Sequence, residues 1–147
     1  MLDEEIINDI GLAREVLSTT DYSVAVISFG KIWNHKTGDG VKPIIKTIEE
    51  MGEDIFDSVI GSRILGKASA LLCRYAKAKA VYSPQGTKTG IALLIMGGVP
   101  CQVDELIPQN VVAETEKNSP FEKILKDVTS PEEAYNILKE KVLKIKK

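Results

Sequence analysis

The stretch that decides the fold is residues 58–72, which read SVIGSRILGKASALL. It begins with an apolar piece typical of a buried strand and passes through a Gly-Ser-Arg turn into a helix that opens with small residues. Glycines and small side chains let a ligand or a neighbouring backbone come close, and the N–H groups of a helix N-terminus favour negative charge. We therefore expect a ligand site at this strand-to-helix junction, Gly61–Lys67.

The pattern outside this stretch predicts a helix, a hairpin and then repeated strand–helix alternation. Helices are expected over residues 2–18, 41–51, 65–77, 88–96, 120–127 and 131–144, and strands over 23–29, 30–36, 56–60, 80–83 and 99–106. Residues 84–86, Pro-Gln-Gly, are expected to form a turn. Hairpin strands pair antiparallel, whereas strands joined through helices pair parallel. The order predicts a three-layer α/β/α sandwich with a mixed sheet, in a single domain over residues 1–147.

Composition is ordinary for a globular protein and disfavours several classes of function. The 147 residues are 44% hydrophobic and 27% charged, with a net charge of −2, whereas a nucleic-acid-binding surface usually needs a basic excess. The longest apolar run, residues 91–96, is too short to cross a bilayer, and the acidic start is unlike a secretory signal. We therefore expect a cytoplasmic protein that does not bind a membrane, and we disfavour nucleic acid as a partner. The sequence leaves open whether the protein forms a homo-oligomer.

The predicted core combines the sheet with apolar residues of two helices. We expect the following side chains to pack on the faces of the sheet: Leu71, Leu72, Leu93, Leu94 and Ile95. Cys73 and Cys101 are interpreted as core residues, because buried free cysteines behave as small apolar side chains. His35 lies in the hairpin, where a surface position is favoured over a catalytic one.

Three segments together resemble a known family. They read SRILGKASA at residues 62–70, VYS at 81–83 and SPFE at 119–122. Over roughly residues 56–138 the chain resembles an uncharacterised prokaryotic family, domain of unknown function 1893, a zinc-less relative of the cytidine deaminases. The resemblance implies a cytidine-deaminase-like fold. In this chain Ser62, Arg63 and Ser119 replace an Asp, a Lys and a Cys of the family pattern.

Zinc-dependent deamination is not expected. It needs three His or Cys ligands and a catalytic Glu. Superposing the motifs puts Lys67 and Ser69 where the first ligand and the Glu should be, and lysine is protonated at neutral pH. The chain offers one histidine and two cysteines, and these fall in three different predicted elements. We predict no metal and no other cofactor.

The candidate site residues surround the two strand-to-helix junctions. The predicted ligand-binding residues are Gly61, Ser62, Arg63, Gly66, Lys67, Ser83 and Thr87, and the catalytic candidates are Lys67, Ser119 and Glu122. Arg63 and Lys67 are of the type that makes charge-assisted hydrogen bonds to an anion. Three of these features have a structural alternative: Lys67 as a solvated side chain, residues 83–90 as a capped turn, and Glu122 as an acid in a first helical turn.

Two classes of function remain open from the sequence. One is a module, or a cryptic enzyme, that binds a nucleotide-like or other small anionic ligand at the junction Gly61–Lys67. The alternative is a non-catalytic interaction or scaffold protein that retains the fold. Whether the chain catalyses any reaction stays open at this point.

Overall fold

Helices and strands alternate along the chain after an initial helix and hairpin. The computed structural model describes residues 3–108 and 124–143. Within these residues the helices are α1 (Glu4–Thr19), α2 (Lys42–Met51), α3 (Lys67–Tyr75), α4 (Lys88–Met96) and α5 (Pro131–Leu143), and a 3₁₀ turn, Gly52–Ile55, follows α2. The strands are β1 (Val24–Ser28), β2 (Lys31–Lys36), β3 (Val59–Ser62), β4 (Ile64–Leu65), β5 (Ala80–Gly86) and β6 (Cys101–Leu106).

The strands form one mixed sheet. Strand β1 pairs antiparallel with β2 and with β3, and β5 pairs parallel with β3, β4 and β6. Strands β3 and β4 keep one register against β5, with Val59 opposite Ala80 and Leu65 opposite Gly86. They therefore act as a single strand interrupted at Arg63, and the order across the sheet is β2, β1, β3/β4, β5, β6.

Alternating side chains divide the core into two parts. On one face, residues such as Ile27, Val59 and Tyr82 pack with Ala13 and Leu17 of α1. The strand residues that alternate with these, such as Val26, Ile60 and Val81, point to the other face and pack with α2, α3, α4 and α5. One helix thus covers one face and the remaining described helices cover the other, which confirms the predicted α/β/α arrangement with a mixed sheet.

Strand β3 departs from its prediction. The strand expected over residues 56–60 begins at Val59 and continues through Ser62. Gly61, expected in a turn, lies within the strand and opposite Tyr82 of β5. The prediction was wrong because small polar residues are also tolerated in a strand that is hydrogen-bonded on both sides.

Two further boundaries near the junction also differ. The turn expected over residues 84–86 is instead the end of β5, since Gln85 pairs with both β4 and β6. Helix α3 begins at Lys67, two residues later than expected, because Ile64 and Leu65 are held in the sheet. Pairing with distant strands, rather than the local turn signals, decides both boundaries.

The predicted core is confirmed in its main part, with exceptions at Ile95 and Phe29. Four of the five expected side chains are buried: Leu71, Leu72, Leu93 and Leu94. Ile95 is 64% exposed, so its predicted burial was wrong. Cys73 is fully buried, as expected, whereas Cys101 is half-buried. Phe29, expected in a core strand, is exposed and left-handed (φ 53°), and with Gly30 it forms the hairpin turn.

Candidate functional site

A cleft of about 400 Å³ lies where the interrupted strand β3/β4 meets the starts of α2 and α3. Its walls come from the connection between α1 and β1, the loop between β2 and α2, the interruption itself and the first turn of α3. Most of its lining is small, hydroxylic or charged: Thr20, Asp21, Ser23, Thr37, Gly38, Asp39, Gly40, Ser62, Arg63, Gly66 and Ser69. Among the described residues, the apolar part of the lining is Pro43, Ile44 and Ile64.

Helices α2 and α3 both begin at this cleft. Their N-cap residues are Val41 and Gly66, and neither supplies a side-chain hydrogen bond to the first turn. By contrast, α1 and α4 begin with side-chain caps from Asp3 and Thr87. The first N–H groups of a helix carry partial positive charge and lack intrahelical acceptors. The dipoles of α2 and α3 therefore both favour negative charge at this cleft.

The guanidinium of Arg63 lines the cleft but also holds the end of α1. Its Nε donates to the carbonyl oxygen of Tyr22 at 2.8 Å, and its Nη2 donates to those of Leu17 at 2.8 Å and Thr20 at 3.1 Å. Carbonyl groups at a helix C-terminus have no intrahelical donor. Arg63 therefore fastens the last turn of α1 to the interrupted strand.

Replacing this arginine is expected to destabilise the fold. Arg63→Ala should lower the free energy of unfolding by about 1.5–3 kcal/mol, because it removes charge-assisted hydrogen bonds. Arg63→Lys should fall between Arg63→Ala and the parent, since one ammonium cannot reproduce the planar guanidinium contacts. Urea denaturation measures both. An Arg63→Ala protein as stable as the parent would contradict this role.

Lys67 serves the neighbouring part of the fold and does not line this cleft. Its Nζ donates to the carbonyl oxygen of Lys126 at 2.8 Å, which ties the start of α3 to the segment before α5. The adjoining hydroxyl of Ser62 donates to the carbonyl oxygen of Ile64 at 3.1 Å. Ser69, in the first turn of α3, is 7% exposed and faces the cleft.

The other predicted ligand residues within residues 3–108 do not line this cleft. A side chain on Gly61 would place its Cβ 3.3 Å from the Cβ of Ala13, so the glycine allows α1 to pack closely. Ser83 is buried and donates to the carbonyl oxygen of Gln85 at 2.7 Å. Thr87 caps α4.

The structure therefore brings together Ser62, Arg63 and Gly66, and places the other four predicted ligand residues elsewhere. Ser119 and Glu122 lie outside the described residues. The sequence reasoning missed the loop at 37–40, which supplies four lining residues. The sequence does contain a pattern that could have indicated this loop. Thr-Gly-Asp-Gly directly precedes a helix with proline in its first turn, and a glycine-rich helix start is also the pattern that indicated the start of α3.

The donors in the cleft do not fit a deaminase zinc ion. The lining includes neither His nor Cys. Across residues 3–108 and 124–143, no group of three or more His, Cys, Asp or Glu is placed to hold a metal. Burial raises the pKa of the Cys73 thiol to about 12 and raises that of Cys101 as well, which lowers the fraction of reactive thiolate at neutral pH. His35 lies in β2, stacked on Tyr22 with centroids 4.0 Å apart.

One known family matches most of the chain. The model of a family described as "Domain of unknown function (DUF1893)" matches residues 12–142. The chain belongs to the DUF1893 family. The family resemblance inferred from the sequence motifs is confirmed.

One solved structure of the same family agrees with this assignment, and two deaminase-related structures are similar at a lower level. A DUF1893 family protein from Thermotoga maritima superposes with a TM-score of 0.78 and 22% identity, covering 96% of this chain and 92% of that one. RibD from Acinetobacter baumannii gives a TM-score of 0.48 at 13% identity, covering 77% of this chain and 37% of that one. The dCMP deaminase of cyanophage S-TIM5 gives 0.45 at 17% identity, covering 73% and 100%. No curated protein matches the sequence of this DUF1893 chain significantly.

Among the described residues of this DUF1893 protein, no helix combines the length and the apolar character that crossing a membrane requires.

Proposed function

We propose that this DUF1893 protein binds a small anionic ligand of nucleotide-like class in the cleft beside the junction Gly61–Lys67. One observation carries the proposal: α2 and α3 both begin at the same cleft, and neither N-cap residue offers a side-chain oxygen to the first turn. The partial positive charge at a helix N-terminus favours phosphate and carboxylate groups there.

The remaining lining supports an anion that is joined to a polar organic group. Arg63 adds a positive charge to the wall, and the hydroxyls of Ser62 and Ser69 are of the type that contacts phosphate oxygens. Asp21 and Asp39 also line the cleft. Carboxylates repel a bare anion but accept hydrogen bonds from hydroxyl or amino groups. A phosphate attached to a sugar or base fits both parts of the lining: the phosphate contacts Arg63 and the hydroxyls, and the sugar or base donates to the carboxylates.

A second observation favours the scaffold alternative. Arg63 and Lys67, the cations expected to hold an anion, both donate to backbone carbonyl oxygens of this chain. Under the alternative, these side chains only fasten α1 and the segment before α5 to the sheet, and the cleft has no specific ligand. The two functions differ in one measurable respect, which is whether a small anion stabilises the folded protein.

Thermal unfolding with a defined set of probes tests the proposal. The probes are inorganic phosphate, cytidine monophosphate and uncharged cytidine, each compared with KCl at equal ionic strength. A ligand that binds only the folded state raises the melting temperature. We expect the nucleotide to raise it most and phosphate less. No shift with phosphate or nucleotide would overturn the proposal and leave the scaffold alternative.

A negative charge introduced inside the cleft, compared with the same change outside it, tests the location of the site. Ser69→Asp puts a carboxylate in the first turn of α3, where an acid is compatible with the helix dipole, and should weaken nucleotide binding by about tenfold or more through like-charge repulsion. Thr89→Asp makes the same change in the first turn of α4, outside the cleft, and should bind like the parent. Equal affinity in the two variants would contradict this location.

A further inference from the structure

A second cavity lies at the opposite ends of α2 and α3. It has a volume of about 590 Å³, within the range of small-molecule sites. Its lining includes three aromatic and three acidic side chains: Phe56, Tyr75, Tyr135, Glu49, Glu53 and Glu132. We propose that this cavity binds a small organic cation of the quaternary or alkylammonium class. The inference is independent of the anion site proposed above.

The aromatic rings of the cavity already hold cations of the chain itself. The Nζ of Lys77 lies 5.5 Å from the centroid of the Phe56 ring, and the Nζ of Lys139 lies 5.6 Å from that of Tyr135. Tyr75 stacks on Tyr135 with centroids 4.0 Å apart. Ring faces attract ammonium groups, and aromatic cages recognise quaternary ammonium ligands in this way.

The electrostatics of the cavity also favour a positive ligand. Helices α2 and α3 end here, and a helix C-terminus carries partial negative charge. Glu49 is paired with Lys139 at 3.3 Å, whereas Glu53 and Glu132 add exposed carboxylates to the rim. Arg74 and Lys77 line the cavity as well, so its three carboxylates outnumber its two cations. The Nη1 of Arg74 donates to the carbonyl oxygen of Leu93 in α4 at 3.4 Å.

Lys77 is held in this cavity by an unusual backbone conformation. Directly after the α3 C-cap it is left-handed, with a φ of 54°, at a position where glycine is usual because a side chain is disfavoured. Asp57 is also left-handed (φ 62°), and its N–H donates to the carbonyl oxygen of Lys77 at 3.0 Å. The chain thus keeps a lysine where glycine would fit better, and its ammonium occupies the face of Phe56. An external cation competes with Lys77 for that ring.

Two ligands of nearly equal shape test the proposal. Choline carries a quaternary ammonium, and 3,3-dimethylbutan-1-ol is its neutral carbon analogue. Backbone amide shifts of Gly52 and Ala76, followed by NMR at constant ionic strength, report binding in the cavity. We expect choline to bind about tenfold more tightly than the neutral analogue. Equal affinities, or no shifts at these amides with choline, would overturn the proposal.

Two substitutions to glycine distinguish the effect of the Lys77 ammonium from the effect of the left-handed backbone. Lys77→Gly removes the competing ammonium and should tighten choline binding about threefold or more, while Asp57→Gly relieves the same backbone conformation outside the cavity and should not tighten it. Phe56→Leu, at a partly exposed position, should weaken choline binding because the ring is lost. Choline affinity unchanged by both Lys77→Gly and Phe56→Leu would contradict the assignment.

Discussion

Leu72→Ala is expected to lower the free energy of unfolding by about 2–5 kcal/mol, the usual range for truncating a buried leucine. Leu72 lies on α3 and is fully buried in the larger core, between the sheet and the helices of that face. The substitution removes apolar contacts and leaves a cavity that close-packed neighbours cannot fill completely. Urea unfolding monitored by circular dichroism measures the change, with an m-value equal to the parent's if the unfolded states are alike.

Ile95→Ala is the matched control for Leu72→Ala. Both changes truncate a branched aliphatic side chain in a helix, but Ile95 is 64% exposed. We expect the control to stay within about 0.5 kcal/mol of the parent, as surface substitutions usually do. A cost below about 0.5 kcal/mol for Leu72→Ala itself would mean that α3 does not pack as described.

Gly90→Ala is expected to destabilise the protein by about 1–3 kcal/mol, through overpacking at a contact between backbones. A Cβ at this position of α4 would lie 2.8 Å from the carbonyl oxygen of Leu65 and 3.0 Å from that of Gly66. These carbonyl groups cannot retreat easily, because the first accepts from the N–H of Thr87 and the second from that of Ala70. Urea denaturation again supplies the measurement.

Gly11→Ala tests whether the contact, rather than the helix, is responsible. Gly11 lies inside α1, and a Cβ there would meet no heavy atom within 4 Å. Alanine is a better helix former than glycine by up to about 1 kcal/mol, so this variant should be more stable than the parent. The two glycine-to-alanine changes are expected to differ in sign, and the same sign in both would argue against the close approach at Gly90.

Glycines 86 and 90 show how a local pattern can be misinterpreted. Residues 83–90 combine hydroxyls and two glycines at a helix start, which from sequence alone suits a phosphate loop as well as a capped turn. In the structure, a Cβ on Gly86 would lie 3.1 Å from a methyl group of Val103, and one on Gly90 would meet the β4 backbone. Both glycines therefore permit close packing within the chain, a requirement that depends on residues distant in sequence.

The candidate cleft was only partly predictable for a similar reason. Ser62, Arg63 and Gly66 were found from the strand-to-helix junction, and the structure places all three at the cleft. The loop at 37–40 comes from a segment more than twenty residues away and follows β2. It reaches the same cleft because β1 pairs antiparallel with both β2 and β3, so that β2 and β3 end at the same edge of the sheet. The carbonyl acceptors of Arg63 lie about forty residues earlier in the chain. No local pattern could therefore reveal that its guanidinium donates to the backbone at the end of α1.

Hydrophobic periodicity and the order of elements were sufficient to indicate a mixed sheet between helical layers, and three short motifs were sufficient to indicate the DUF1893 family. Such signals are local, since each helix or strand records its own buried face in its own residues. The end of β5, the exposure of Ile95 and the structural use of Arg63 and Lys67 were decided by tertiary contacts. Backbone pairing and side-chain hydrogen bonds between distant segments override local preference, because every buried donor and acceptor must find a partner wherever the fold provides one.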